Sequence, residues 1–175
     1  GDDPVANWAH HTNELKKRVT WLNGQKFDAL QYTGPGTDLR LGLAEGHIWK
    51  GGASPALDGI ICQPNIPTEE VFTCPHAYKV DGWVSATKPL AHQGTVIENI
   101  AVRFQAGKIV EATATKGQDV LRALLNTDEG ASRIGEVALV PHSSPISQSG
   151  VLFYNTLFDE NASCHIALGQ SYADT

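Results

Sequence analysis

Turn-forming residues divide the middle of the chain into short segments, and this division constrains the fold more than any other feature. Residues 34–36, Gly-Pro-Gly, separate the segments 28–32 and 38–43, and residues 51–52, Gly-Gly, follow Ile48 and Trp49. Glycine and proline favour tight turns because of the backbone angles that they adopt. We therefore expect short strands joined by tight connections in this part of the chain.

Further strands are predicted by runs of β-branched and apolar residues. Segments 95–104 and 108–115 flank Gln105, Ala106 and Gly107, a pattern that is typical of a β-hairpin. Later in the chain, three segments are expected to form short strands and the serine- and proline-containing stretch between the first two is expected to be a long loop. These strands are 136–140, 151–158 and 165–168, and the loop is 141–150.

Helical periodicity occurs in two places. From Pro4 to about Leu22, apolar residues recur at spacings of three, four and seven, and Pro4 suits a first helical turn. This amphipathic helix is expected to end near residues 23–24, and a second, short helix is expected at 118–126. The fold class is therefore predicted to be α+β: a mixed, mainly antiparallel β-sheet with an N-terminal amphipathic helix and a few short helices.

Length and composition narrow the classes of protein. A chain of 175 residues with 41% hydrophobic residues is long enough to bury the core of one domain. The net charge of -6, with scattered lysines and arginines, argues against nucleic-acid binding. We find no apolar run of the roughly 20 residues that a membrane span needs, and the acidic first residues do not indicate export. No membrane partner is expected.

Cysteine content and the ends of the chain lead to two further expectations. Cys62, Cys74 and Cys164 are odd in number and lack CxxC spacing, so buried free thiols in a reducing compartment are expected. The sequence contains no methionine and ends without a stop signal, which predicts a segment of a longer chain. We divide it into residues 1–27, a helix and linker, and residues 28–175.

Three ionisable residues stand in mostly apolar or small-residue surroundings. They are Glu70 in NIPTEEVFT, Glu136 in RIGEVALVP and His165 in ENASCHIALG. A solvated surface group fits such surroundings poorly, so each of these residues needs a partner. A divalent metal ion would supply one.

Each of these residues also has a simpler interpretation. Glu70 could belong to a helix start capped by Thr68, or to the surface. Glu136 could be the solvated first residue of a buried strand, and His165 could be a hydrogen-bonded core histidine. Metal binding and these structural roles both remain open from the residues alone.

A serine hydrolase is a weaker hypothesis. It would use Ser147 or Ser149 with His142 and Asp159. The segment ISQSG lacks the first glycine of a nucleophile elbow, which counts against this interpretation.

Long segments of the chain resemble the thermophilic aminopeptidase T family, which includes aminopeptidases S and II. The resemblance covers residues 32–175. The segments that carry it are NIPTEEVFT, GWVSATKPL, TVIENIAVRFQAGKIVEATA, TDEGASRIGEVALVP, SPISQSGVLFYNTLFDENASCHIALG and SYADT. The resemblance implies a cytoplasmic metallo-exopeptidase that releases N-terminal amino acids from peptides with two divalent ions. Residues 28–175 would then be part of its catalytic domain, truncated at the C-terminus.

Residue roles follow from the same resemblance. It implies Glu70, Glu136 and His165 as metal ligands, with Glu136 also catalytic because it is shared by both ions. Tyr172 resembles the family's active-site tyrosine and would hydrogen-bond the tetrahedral intermediate. Glu69, next to a ligand, is a weaker candidate for a base or for a residue that orients a ligand.

The chain departs from the family pattern in one respect. Family members carry a downstream His-x-Asp pair that completes the metal pair, and this sequence ends before such a motif. Two carboxylates and one imidazole can hold one ion with open positions. The ligand types suit zinc, cobalt or manganese, and a homodimer is a possible assembly. We expect the chain alone to be inactive, and a non-catalytic, metal-incomplete interaction or assembly module is the alternative function.

Overall fold

The computed structural model describes residues 2–175. No helix within that range combines the length and the hydrophobicity that a membrane span requires. The helices are α1 (Pro4–Gln25), α2 (Gln118–Leu125), α3 (Pro145–Ser149) and α4 (Thr156–Glu160). The strands are β1 (Ala29–Gly34), β2 (Thr37–Leu43), β3 (Ser54–Pro55), β4 (Ile61–Cys62), β5 (Val71–Thr73), β6 (Pro75–Ser85), β7 (Leu90–His92), β8 (Thr95–Ile97), β9 (Ala101–Gln105), β10 (Lys108–Thr113), β11 (Ile134–Leu139) and β12 (His165–Leu168). The predicted α+β class, with antiparallel sheets and an N-terminal helix, is confirmed.

Helix α1 begins at a capped turn and packs on the sheets. The Asp3 carboxylate accepts a hydrogen bond from the Ala6 N–H at 2.9 Å, which satisfies one of the free amides of the first turn. Leu15 and Leu22 are seven residues apart and are both buried, as the apolar periodicity predicts. The helix ends at Gln25, slightly beyond its predicted end, because Lys26 adopts the left-handed conformation that terminates helices.

The larger sheet has five antiparallel strands in the order β1-β2-β6-β9-β10. Its core-facing residues include Leu39 and Leu41 of β2, which are at most 1% exposed. Sequence analysis missed β6, the longest strand. A strand pattern is hard to see there because Gly82 interrupts it: its φ is 118°, and a Cβ would lie 2.1 Å from the Asp38 carbonyl oxygen. Only glycine allows β2 and β6 to approach this closely.

The smaller sheet has three antiparallel strands in the order β12-β11-β5. Val137 of β11 pairs with Thr73 of β5 on one side and with Ile166 of β12 on the other. Val71 and Val137 belong to the same hydrophobic core as Leu39 and Leu41 of the larger sheet. One face of the smaller sheet is therefore buried against the interior.

Three predicted elements differ in the structure. The strand expected at 151–158 is wrong, because Asn155 caps the short helix α4 there. The loop expected at 141–150 contains helix α3, with Ser144 as its cap. The strand expected at 95–104 is divided into β8 and β9 around Asn99, which has a positive φ. The hairpin of β9 and β10 and helix α2 are confirmed.

The cysteines are free, but the prediction that they are buried is wrong. Cys62 and Cys164 are exposed and Cys74 is half-buried. The Cys74 Sγ lies 3.1 Å from the Ser171 Oγ. The Cys164 Sγ contacts the main chain of Val140 across the sheet.

Candidate metal centre

Strand register places four side chains on one face of the smaller sheet. Phe72 of β5 and His165 of β12 both pair with Ala138, in the central strand β11. Directly paired residues share a face, and faces alternate along a strand. Glu136, two residues before Ala138, and Glu70, two residues before Phe72, therefore lie on that same face. The opposite face belongs to the core.

The three sequence-predicted ligands are close together on this face. One ligand atom from each of Glu70, Glu136 and His165 lies within 4.8 Å of the other two. Glu70 is only 7% exposed, and it precedes a strand rather than starting a helix or lying on the surface. Glu136 is half-buried and is the third residue of β11, so it is not a solvated strand end. Their role as ligands stays a prediction.

The orientation of His165 leaves an acceptor atom facing Glu70. Its Nδ1 lies 3.0 Å from the Ser163 carbonyl oxygen, which can only accept, so Nδ1 carries a proton. In the neutral ring, Nε2 then has a lone pair, and Nε2 lies 3.0 Å from the Glu70 Oε2. Both atoms are buried, and neither has a hydrogen-bond partner other than the facing atom. Two facing acceptors require a proton or a metal ion between them, and a metal-bound histidine shows this same second bond to a carbonyl.

Burial and like charges shift the acidic groups of the cluster. Burial raises the pKa of Glu136, and the negative charges of Glu70 and Glu160 raise it further, although His165 opposes them. Burial lowers the pKa of His165, but its contacts with Glu70 and the Ser163 carbonyl and the charge of Glu160 outweigh burial and give a net increase. The carboxylates thus repel one another and attract positive charge.

Sequence analysis missed Glu160, which belongs to this cluster electrostatically. It is the last residue of α4, and its pKa is raised by burial and then by the charge of Glu70, with His165 opposing. Glu160 opens the same ENASCHIALG motif that contains His165. Asp159, directly before Glu160, is also acidic, so the sequence alone did not distinguish the two carboxylates.

Tyr172 and Glu69 lie in different surroundings. The Tyr172 ring is 65% exposed, and its centroid lies 5.9 Å from that of Phe72, whose side chain is on the ligand-bearing face. Glu69 is buried, and its Oε1 lies 3.7 Å from Nε2 of His11 on helix α1. Burial raises the pKa of Glu69, while His11 and Arg18 oppose that increase. Glu69 is therefore directed towards α1 rather than into the cluster.

The residues of the serine hydrolase hypothesis do not form a triad. His142 Nδ1 lies 3.0 Å from the Ser147 Oγ. The Asp159 carboxylate instead accepts hydrogen bonds from the backbone N–H groups of Phe153 and Asn155. Asp159 is thereby committed to local backbone bonds, and it does not orient His142.

An α+β fold with a buried cluster of two carboxylates and one imidazole defines a candidate metal-dependent hydrolase. Comparison with known proteins is consistent with this class. Residues 1–175 match the thermophilic metalloprotease (M29) family, and the chain belongs to that family. The resemblance to the aminopeptidase T family is confirmed.

Several relatives are similar over nearly the whole chain. Aminopeptidase T of Thermus aquaticus is 55% identical over 173 residues, which are 99% of this chain and 42% of that protein. Aminopeptidase 2 of Geobacillus stearothermophilus is 50% identical over 171 residues, 98% of this chain and 41% of that protein. The solved structure of wild-type AmpT from Thermus thermophilus superposes with a TM-score of 0.93 at 55% identity, covering 97% of this chain and 43% of that chain. The chain thus spans 42% of the length of the first of these relatives.

Proposed function

We propose that the protein containing this chain is a metal-dependent aminopeptidase that releases N-terminal amino acids from peptides. The observation that carries the proposal is the pair of buried acceptors, Glu70 Oε2 and His165 Nε2, which face each other at 3.0 Å beside Glu136. Membership in a metalloprotease family and the aminopeptidase names of the relatives support it. Peptides are the proposed substrates, and no nucleic acid or membrane is proposed as a partner.

The donor set fits a divalent cation. Glu70, Glu136 and His165 would hold it, and their mixed oxygen and nitrogen atoms suit zinc, cobalt or manganese. We assign Glu160 to a second ion because it ends α4 at the start of the ENASCHIALG segment and its pKa is affected by both Glu70 and His165, and we assign Glu136 as the carboxylate shared by both. When bound, the ions would supply a nucleophilic water at neutral pH and polarise the peptide carbonyl.

The protein's own groups would then orient the reactants. The Ser163 carbonyl fixes the ring of His165 through Nδ1. Glu136 would act as a ligand rather than as the base, because its oxygens would be taken up by the ions, and the proton released by the attacking water would pass to the leaving amine. The phenol of Tyr172 would donate a hydrogen bond to the oxyanion of the tetrahedral intermediate.

The extent of the chain leads to proposals about the whole protein. We propose that residues 28–175 are part of a catalytic domain and that further ligands, a His-x-Asp pair, lie C-terminal to them. We propose that residues 1–27 are an N-terminal helix and linker that precede this domain. A cytoplasmic location and a homodimer are proposed for the whole enzyme.

The proposal is tested by hydrolysis of leucine and other aminoacyl-anilides with and without Co²⁺ or Zn²⁺. The assay compares this chain with a C-terminally extended version. Two variants of the extended version, Glu136→Gln and His142→Ala, are assayed beside them. Activity is expected only in the metal-loaded extended version, with Glu136→Gln inactive and His142→Ala unaffected. An inactive extended version that still binds metal would favour the interaction-module alternative. An active Glu136→Gln would contradict the assigned role.

Tyr172 is tested separately by Tyr172→Phe, which removes only the hydroxyl. A loss in kcat on the order of 100-fold is expected, because that is the usual cost of one oxyanion donor. The KM is expected to change little. Tyr154→Phe is the matched control, since Tyr154 is comparably exposed, at 60% against 65%. An unchanged kcat for Tyr172→Phe would remove Tyr172 from the mechanism.

A further inference from the structure

Asn161 connects two segments that carry acidic residues of the candidate metal centre. Its side chain is 1% exposed; Oδ1 accepts a hydrogen bond from the Glu69 backbone N–H at 2.6 Å, and Nδ2 donates to the Leu157 carbonyl at 2.8 Å. Glu69 is followed directly by Glu70, and Asn161 is preceded directly by Glu160. The two bonds of one amide therefore fix the main chain beside two carboxylates.

The main chain of Asn161 is held as firmly as its side chain. Its N–H donates to the Phe158 carbonyl at 3.2 Å, which closes the end of α4. Its own carbonyl accepts a hydrogen bond from the Ser144 Oγ at 3.1 Å, and Ser144 also caps α3. A buried amide with its acceptor, its donor and both main-chain groups bonded has one well-defined position.

The segment that Asn161 holds is also bonded on its other side. Nε2 of His11, on helix α1, lies 2.7 Å from the Thr68 carbonyl oxygen and bonds to it. The main chain at residues 68–69 thus lies between α1 and Asn161. Both contacts act on backbone groups, so the side chain of Glu70 remains free to face the cluster.

These bonds oppose a force that acts within the cluster. One ligand atom of Glu70 and one of Glu136 lie within 4.8 Å of each other, so the two carboxylates repel when no cation is present. Without a restraint, the segment carrying Glu70 would move away and would have to be brought back when an ion binds. Groups that hold ligands in place before binding increase metal affinity for this reason.

We propose that Asn161 is a positioning residue of the metal centre: its bond to the Glu69 N–H holds Glu70 in place relative to Glu160 for metal binding. The inference rests on the proposed function, because it requires that these carboxylates bind a divalent ion. Asn161 itself contacts main chain only and does not touch the ion or the substrate.

The test measures Co²⁺ and Zn²⁺ binding to the purified chain by calorimetry, together with the visible absorption of the Co²⁺ form. Asn161→Ala is expected to weaken binding by about 10- to 100-fold and to change the Co²⁺ spectrum. Asn23→Ala is the matched control. Asn23 makes the same pair of bonds, with the N–H and the carbonyl of Trp49 at 2.8 and 3.0 Å, and none of its bonds is to Glu69 or to α4. Binding by this control should match that of the unsubstituted chain.

Asn161→Asp provides a second variant, and it decides the question where Asn161→Ala does not fold. It keeps the acceptor for the Glu69 N–H, loses the donor to Leu157 and adds a negative charge that itself favours cations, so metal affinity should be at least retained. Loss of affinity in Asn161→Asp, or full affinity in a folded Asn161→Ala, would overturn the positioning role. Absence of metal binding by both the unsubstituted chain and its C-terminally extended version would overturn the proposed function and this inference with it.

Discussion

The two main sheets share one hydrophobic core but differ in what they place on their outer surfaces. The five-stranded sheet has longer strands, up to the 11 residues of β6, and contributes the buried Leu39, Leu41 and Leu43 to the core. The three-stranded sheet has strands of three, six and four residues and carries Glu70, Glu136 and His165 on its outer face. The larger sheet supplies burial, and the smaller one supplies a rigid surface for charged groups.

This division has an energetic consequence. Like charges crowded beside the smaller sheet destabilise the metal-free chain, since the charge of Glu70 makes ionisation of Glu136 and Glu160 less favourable. Burial in the common core offsets that cost. Substitutions in the larger sheet should therefore change stability alone, and substitutions on the outer face of the smaller sheet should change metal binding first.

The largest change in stability is expected from Leu41→Ala in β2. Leu41 is fully buried, and truncation of such a leucine costs about 2–5 kcal/mol through lost burial and the remaining cavity. Urea unfolding measures this loss. Val110→Ala is the control, because Val110 is an exposed residue of the same sheet. It should lower the unfolding free energy by less than about 0.5 kcal/mol. Weaker metal binding by a folded Leu41→Ala variant would show that metal binding also depends on packing in the larger sheet.

The next effect is on binding and concerns His165→Ala. Removal of the imidazole leaves only carboxylates, and we expect Zn²⁺ affinity to fall on the order of 100-fold. Loss of a residue that only orients a ligand lowers metal affinity by up to about 100-fold, and loss of the ligand itself should cost at least as much. Calorimetry with the purified chain provides the measurement. His142→Ala, on an exposed histidine outside the cluster, should bind as the unsubstituted chain does. Equal affinity for His165→Ala would remove His165 from the ligand set.

The comparison between sheets also shows what sequence could predict. Helices α1 and α2 and the β9–β10 hairpin follow from local patterns: apolar residues at helical spacing, or β-branched runs around a glycine turn. The α4 region was missed because its residues favour strands by type. There the Asn155 side chain accepts the Phe158 N–H, and Asp159 accepts two other amides, and these local bonds outweigh strand propensity.

For the candidate site, sequence identified residues but not their arrangement. The apolar surroundings of Glu70, Glu136 and His165 indicated that each needs a partner, and family resemblance named them as ligands. Their common face depends on register between β5, β11 and β12, which are more than 20 residues apart in the chain. Long-range register of this kind is set by tertiary packing, so neither the facing acceptors nor Glu160 could be derived from local pattern.

A smaller effect, and one of opposite sign, is expected for Glu136→Gln in the metal-free chain. The amide keeps the shape of the side chain and removes one of the repelling charges. Unfolding free energy at neutral pH should therefore rise, on the order of 1 kcal/mol, while Zn²⁺ binding weakens. Urea unfolding with a chelator present separates the two effects. Glu129→Gln, at an exposed glutamate outside the cluster, is the control for the same change in charge. Destabilisation by Glu136→Gln would show that the carboxylate serves the fold.

The smallest effect is the change with pH in the unfolding free energy of the metal-free chain. It distinguishes the two sheets without any substitution in the larger one. Glu136 and Glu160 have pKa values raised above their ordinary value of 4.5, so the folded chain holds protons there that the unfolded chain has released. Stability must then fall as the pH rises above 4.5.

The raised pKa of His165 acts in the same direction: its contribution to stability is complete below pH 6.5 and is lost as the pH rises through the pKa of the folded state. Metal affinity should change oppositely across this window, since binding needs ionised carboxylates and a neutral imidazole. Urea unfolding between pH 4.5 and 8 should show a decline that is shallower in Glu136→Gln by a fraction of one proton, under about 1.4 kcal/mol per pH unit, and unchanged in Val110→Ala. An equal slope in Glu136→Gln would mean that the charges of the smaller sheet are solvated. Its outer face would then destabilise the metal-free chain no more than the surface of the five-stranded sheet does.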